Sequence, residues 1–432
     1  MADKLRDILP AYGDRTSQFR FLTKDHTLGE SSPITVWRSA LAASSASIEQ
    51  QSFGGGGISR HASDALFAAL YESVERLCWA NGNIETIRES VSRSDQEWFK
   101  DRLSILPHFT EVELHELYAE TEIVHDELYD SSLWTLGRSL VTNDNVWIPL
   151  ALALPRHTAR VKSQAAIDMT TNGMAAGSSF AGATLSGLME ALERHTFLEA
   201  HYNARPFDVV RPSRLSPSCL QTFRAIADIF DQVLLATIPG PLGTSLSVCS
   251  GYVGGSTGTL RLRIGASLNF DYSVAVEKSI LEFAQCAVAA RGKTLHEADS
   301  CGDWRNVPLG TLLDHVSLGD YPDYCSRLKF RTPEEQNCDD TPMQESASCR
   351  EFDQSDVIDL CRRLEHSFGI NAVVVPFTPE SIVDTTQCSV VRVVLLGAIP
   401  LRVGRAVGLD SQFMSNAGID SNGLAILPHC FP

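Results

Sequence analysis

Several common features are missing from this sequence. It has no uninterrupted apolar run long enough to cross a membrane. Its start, MADKLRDILPAYGDR, has no apolar core of the signal-peptide kind. The expected location is therefore cytoplasmic, with no membrane contact. The most apolar stretch, Val390–Val403, is interrupted by Arg392 and Arg402 and reads as a pair of strands. Runs of Lys or Arg are also absent, and the formal net charge is −17. A groove that follows phosphate backbones needs clustered cations, so nucleic acid is not an expected partner. Cysteine is present at 11 positions, but no two make a C-x-x-C pair. That argues against a zinc ribbon and a thioredoxin-type site. The cysteines read as mostly reduced and buried, with Cys430 set apart only by its place near the end. There is no P-loop and no G-x-S-x-G elbow. His115–Glu116 opens like a zincin, but no second histidine follows where the metal would need it.

What is present is ordinary globular composition: 432 residues, 44% hydrophobic and 21% charged. A large core is possible, and wholesale disorder is excluded. Residues 111–130 have the apolar spacing of an amphipathic helix. Residues 145–155, 246–270 and 390–403 have strand character. Residues 331–356 are polar and rich in breakers, so they read as a loop or flap. The mixture indicates an α/β fold in the broad sense, mixed α+β. Residues 1–50 read as an N-terminal segment without a motif, and 51–432 as one large domain, with a tail at 424–432.

The strongest internal signal is a repeat. Three segments, Gly54–Ala80, Asn172–Ala200 and Gly265–Ala290, align on Glu72, Glu190 and Glu282. Ala65, Ala183 and Ala275 stand seven residues earlier. Leu70, Leu188 and Ile280 stand two earlier. Glu75, Glu193 and Gln285 stand three later, and a glycine-bearing loop precedes each unit. The apolar spacing is helical, so each helix presents an oxygen-bearing pair on one face.

Such pairs can be solvated surface glutamates, or they can hold a hard cation. Mg2+ prefers oxygen ligands and bridges carboxylates to phosphates. Arg76 and Arg194 follow the second glutamate of their units, and each could form a salt bridge or reach a phosphate. A di-iron bundle would need histidine three residues after two of the glutamates, which is absent. His195 and His201 read as structural.

At these residues the sequence resembles the YcaO family of ATP-dependent enzymes. TTNGMAAGSSFAGATLSGLMEALERHTF, Thr170 to Phe197, is similar to its "SNG-x-A-x-G … E-x-x-ER-(D/H)" signature. The first and third units resemble its "E-x-x-ER" and "E-x-x-Q" segments. The resemblance runs over about residues 50–432. It implies ATP and Mg2+ as cofactors, with Glu72, Glu75, Glu190 and Glu193 as Mg2+ ligands. Thr171 and Asn172 would sit at a turn before the second helix, close to the nucleotide. Arg76, Glu282, Gln285 and Arg392 would also face the nucleotide, and Arg194 would contact phosphate. Two departures stand out. The first loop, GGGGIS, lacks the lysine of many relatives, and Leu396–Gly397 replaces a usual Pro-Gly.

The resemblance also implies a reaction. ATP phosphorylates a backbone amide oxygen of a ribosomally made precursor peptide after attack by Cys, Ser or Thr, giving thiazoline or oxazoline. Thioamidation, amidine macrocyclisation and a non-catalytic ATP-binding scaffold remain as alternatives. The expected partners are the precursor peptide, an E1-like protein that binds its leader, and a flavin-dependent azoline dehydrogenase. The end LPHCFP is similar to the family's proline-rich tail, which assigns a proton-transfer role to Pro432. Cys430 would then pack rather than react.

Overall fold

The structure is a computed structural model. It describes residues 19–25, 28, 32–41, 54–81, 87–88, 90–100, 133–153, 170–254, 260–291, 303–307, 309, 312–331, 352–377, 388–401 and 428–430. The 111–130 segment, nearly all of the 331–356 loop and Pro432 lie outside the described residues.

Strands β1 (Phe19–Asp25), β2 (Thr35–Leu41) and β3 (Gly56–Ser59) lead into helix α1 (Ala62–Asn81). Strand β4 (Ile87–Arg88), helix α2 (Arg93–Lys100), β5 (Trp134–Ser139), β6 (Asn145–Pro149) and β7 (Met174–Gly177) precede helix α3 (Phe180–Tyr202). Strand β8 (Asp208–Val209), helix α4 (Pro217–Ala227), then β9 (Asp231–Pro239), β10 (Ser245–Gly254) and β11 (Leu260–Asn269) precede α5 (Tyr272–Arg291). Short helices α6 (Leu312–Ser317) and α7 (Pro322–Cys325) come next. Helix α8 (Gln354–Phe368) and strands β12 (Asn371–Pro376) and β13 (Ser389–Leu396) follow.

Three antiparallel sheets result. The first is β1-β2-β3. The second is β4-β5-β12-β13-β7, with β6 on β5, and the third is β11-β10-β9-β8. The fold is thus mixed α/β. The long helices separate the sheets in rotation. Helix α1 packs on β2 and β3 and, across from them, on β7 and β13. Helix α3 lies between β13 and β11. Helix α5 covers β10 and β11 and returns to β3, closing a ring.

Strand alternation explains the layering. On β12, Val373 and Val375 join the core under α1, whereas Ala372 and Val374 join the core under α3. Leu262, Ile264, Ala266 and Leu268 of β11 face α3. Helices α4 and α5 cover the other side of that sheet with Phe223, Val276, Ile280 and Phe283.

The repeat is visible as strand–turn–helix. Ser59, Gly177 and Asn269 end their strands thirteen residues before Glu72, Glu190 and Glu282. Each helix begins ten residues before its glutamate. One glycine recurs in register: Gly55, Gly173 and Gly265. A Cβ on Gly55 would lie 2.2 Å from the Ala69 carbonyl, and one on Gly265 would lie 2.0 Å from the Phe283 amide. Glycine is needed there because strand backbone presses directly on helix backbone.

Of the expected strand pair at Val390–Val403, the described residues, which end there at Leu401, hold one strand. It ends at Leu396, where Gly397 adopts φ +93° and turns the chain. Its partner is β12, contributed by the short run NAVVVP. No helix among the described residues is long and apolar enough to cross a membrane.

Candidate active site

The six aligned side chains meet where one helix borders the next. The second residue of each pair neighbours the first residue of the following unit. The order is Glu75 with Glu190, Glu193 with Glu282, and Gln285 with Glu72.

At the border of α1 and α3, burial lifts the Glu75 carboxyl well above the usual range. Arg76 opposes that shift, Glu190 and Glu72 add to it, and Arg392 opposes it. Burial pushes Glu190 up to about 7, against the pull of Arg194. Burial also holds Arg76 down, but Glu75, Glu72 and Glu190 outweigh it and raise the guanidinium. Arg392 reaches this border from β13, which pairs with β7 so that Arg392 lies opposite Met174. It donates to the Thr170 carbonyl. Burial lowers it to about 10, despite Glu190 and Glu75.

At the border of α3 and α5, Arg194 donates to Glu193 at 2.9 Å and approaches Glu190 at 3.9 Å. The other Glu193 oxygen accepts from the Leu268 amide of β11 at 3.1 Å. Burial raises Glu193 in spite of these contacts. Glu282 is pushed up to about 8 by burial and by Glu193, with Arg194 and Lys278 opposing.

At the border of α5 and α1, the Gly56 amide donates to Glu72 at 2.9 Å, and Arg76 approaches Glu72 at 3.4 Å. A Cβ on Gly56 would meet the Gln285 amide nitrogen at 2.9 Å. A side chain at position 56 would make that glutamine shift.

Gathering this many carboxylates in one low-dielectric region raises their proton affinity unless a cation joins them. Two further atoms are underused: Asn172 Oδ1 and Arg392 Nε are buried without a partner among the described residues. Among the described residues, no three His, Cys, Asp or Glu side chains form a ready metal cage. Mg2+ does not need one, since it keeps waters and takes one or two carboxylates together with phosphate oxygens. The residues present fit a magnesium–nucleotide.

The family model described as YcaO cyclodehydratase, ATP- and Mg2+-binding, matches residues 56–398. The chain belongs to the YcaO family. Its cofactors are ATP and Mg2+. A YcaO structure from Methanopyrus kandleri, bound with AMPPCP and Mg2+, superposes with a TM-score of 0.61 at 18% identity. That match covers 92% of this chain and 90% of the other. A heterocyclase in complex with substrate and cofactor gives 0.68 at 16% identity, covering 92% of this chain and 52% of the heterocyclase chain. A chain of the E. coli microcin synthetase McbBCD complex with pro-MccB17 bound gives 0.63 at 14%, covering 95% and 96%. At these identities the likeness is one of fold. Two uncharacterised Mycobacterium tuberculosis proteins, from strains CDC 1551 and H37Rv, are each 28% identical over 163 residues. The match covers 36% of this chain and 35% of theirs.

Within this YcaO fold, Thr171 and Asn172 lie in a turn before the second helix, with the short strand β7 between the two. The Asn172 amide donates to Thr170 Oγ1 at 3.2 Å, which tightens the turn. His195 is structural: its Nδ1 accepts from the Ile399 amide at 3.1 Å, and burial lowers it to about 4, so it stays neutral. His201 stacks on Phe197. The described cysteines are all free, and all but Cys286 are buried.

The tail is docked where it is described. Tyr324 of α7 donates to the Pro428 carbonyl. His315 Nδ1 donates to the His429 carbonyl at 2.9 Å, and the two imidazoles stack at 4.2 Å. Cys430 is buried, and burial pushes its thiol up to about 12, so it packs as a neutral group. Sequence reasoning did not find this dock. The segment 312–325 has no motif, and its contacts are with residues about a hundred positions later. Nor did it find the backbone amides of Gly56 and Leu268, which carry no side-chain signature.

Proposed function

We propose that this YcaO chain catalyses ATP- and Mg2+-dependent cyclodehydration of Cys, Ser or Thr in a ribosomally made precursor peptide. The observation that carries this reading is the set of carboxylate borders around α1, α3 and α5, with Arg194 and Arg392 between them. Glu72, Glu75, Glu190 and Glu193 would hold Mg2+. Thr171, Asn172, Arg76, Glu282, Gln285 and Arg392 would line the nucleotide. Bound there, Mg2+ supplies charge neutralisation at the transferring phosphoryl group.

In the reaction, the peptide's thiol or hydroxyl attacks the preceding carbonyl carbon and loses its proton. The resulting alkoxide takes the γ-phosphoryl group, and ADP leaves. The amide nitrogen then expels phosphate and loses its proton, leaving a C=N bond in the ring. An amide oxygen is a poor leaving group, and phosphorylation removes that barrier. Arg194 and Arg392 would stabilise charge that grows on the phosphoryl oxygens. Arg194 is held by Glu190 and Glu193 and would act as the catalytic arginine. Pro432 would help move the proton of the attacking group.

We further propose an E1-like partner that binds the leader peptide, and a flavin-dependent dehydrogenase that oxidises the azolines. The McbBCD relative is itself a multi-protein complex. The test is to incubate the chain, its partner and the precursor peptide with ATP and Mg2+. The peptide should lose one water mass per ring, and a heavy-oxygen label on the reacting carbonyl should appear in inorganic phosphate. Label released into water, or gain of sulfur at the backbone, would refute this reading.

A further inference from the structure

Arg263, on β11, has donors that the carboxylate borders do not use. Its side chain is 2% exposed. Its Nη1 is committed to Asp320 at 3.0 Å and to the Leu262 carbonyl at 2.6 Å. Arg261 shares the same aspartate at 3.7 Å. The Nε and Nη2 of Arg263, in contrast, are buried and have no partner among the described residues.

These two nitrogens lie on one edge of the planar guanidinium. That edge matches two oxygens of one carboxylate or phosphate. Leaving charged donors buried and unpaired is expensive. The neighbours that feel the Arg263 charge include the thiols of Cys286 on α5, Cys325 and Cys430. A thiol is a weak acceptor and does not satisfy the edge.

The repeat gives a second, independent pointer. Arg263 stands nineteen residues before Glu282, as Thr171 stands nineteen before Glu190. The third unit therefore places a cation where the second places its turn. The helix positions complement this: α1 and α3 carry Arg76 and Arg194 four residues after the aligned glutamate, and α5 carries Cys286. At that position of the third unit the guanidinium comes from the strand, not the helix.

We propose that the Nε/Nη2 edge of Arg263 is an oxyanion-binding site distinct from the glutamate pairs. Its ligand presents two oxygens side by side, as inorganic phosphate or a carboxylate does. The site does not depend on which amide chemistry the enzyme performs.

The experiment uses the full chain with Mg2+ and a non-hydrolysable ATP analogue filling the nucleotide site. Inorganic phosphate and acetate are titrated separately while the melting temperature is followed, with chloride at matched ionic strength as control. At least one oxyanion should give a saturable rise that chloride does not. A rise with phosphate alone identifies a phosphate site, and one with acetate alone a carboxylate site. Arg263→Lys keeps a charge facing Asp320 but has no fork, so it should weaken that response by about tenfold or more, with nucleotide affinity unchanged. A second readout on the wild type, with nitrogen-labelled arginine, should show one buried Nε–H resonance moving with the anion. Absence of a saturable rise, unmoved arginine resonances, or an equal response in Arg263→Lys would overturn the proposal. The edge would then be occupied by ordered water.

Discussion

Glu190 and Glu193 occupy different electrostatic situations although they share one helix face. Glu193 is tied to Arg194 and the Leu268 amide, whereas Glu190 has only a long contact to Arg194. Glu190→Gln should therefore abolish ATP-dependent turnover while leaving the melting temperature unchanged or slightly raised. Glu193→Gln should abolish turnover and also lower stability by about 1–3 kcal/mol, because it leaves a buried arginine short of a partner. Thermal melts beside an ATPase assay check both. The raised carboxyls also set a pH dependence. Glu75, Glu190, Glu193 and Glu282 bind protons more tightly when folded, with Glu190 at about 7 and Glu282 at about 8. Their contribution is fully present below the unfolded value and is lost as pH rises through the folded values. The ligand-free protein should thus lose stability between about pH 5 and about pH 9. Magnesium–nucleotide requires the ionised carboxylates, so its affinity should rise across the same window with proton release. Melting curves and calorimetry in buffers of different ionisation enthalpy would measure this. At this scale most of the acidic set was legible, because a helical period fixes which residues share a face. Arg392 was legible only by resemblance, since its approach to Thr170 depends on the pairing of β13 with β7 across two hundred residues.

The strand–turn–helix element explains why the glutamates arrive in register three times. Its shared glycine lets backbones touch: Gly55 and Gly265 admit the backbone of their own helix, which sets the height of the glutamate, and Gly173 admits the backbone of β13 at Val393. Gly265→Ala should therefore destabilise the fold by about 1–3 kcal/mol through overpacking. It should weaken nucleotide binding in proportion to the shift of α5, measurable by denaturant melts and nucleotide titration. The docked tail is a second element. Tyr324→Phe removes the hydroxyl that holds the Pro428 carbonyl, so cyclisation of peptide should fall several-fold while ATP affinity stays constant. An unchanged cyclisation rate would show that the dock at Pro428–Cys430 has no part in turnover. The repeat was legible as three helices, and the third glycine segment lay within a stretch of strand character. The first and second glycine segments read as loops but run into β3 and β7, which are fixed by pairing with β2 and, far along the chain, with β13. The same reason hid β12, six residues long, whose fit depends on lying between β5 and β13.

At the scale of the whole molecule, three sheets and three long helices alternate around a ring. Glutamate pairs from consecutive units meet at two of its three borders. At the third, Gln285 replaces a carboxylate beside Glu72. The acidic balance of the chain makes binding of a bare nucleotide unfavourable, and Mg2+ reverses that. Binding of a nucleotide with Mg2+ couples the three units, so ligand should raise stability across the entire fold and not one segment. The most direct measurement is calorimetric titration of the full chain with a non-hydrolysable ATP analogue, with Mg2+ and with EDTA, on wild type and Glu190→Gln. The account requires tight binding by the wild type with Mg2+, none with EDTA, and a loss of at least about tenfold in Glu190→Gln. Equal binding with EDTA, or wild-type affinity in Glu190→Gln, would contradict it.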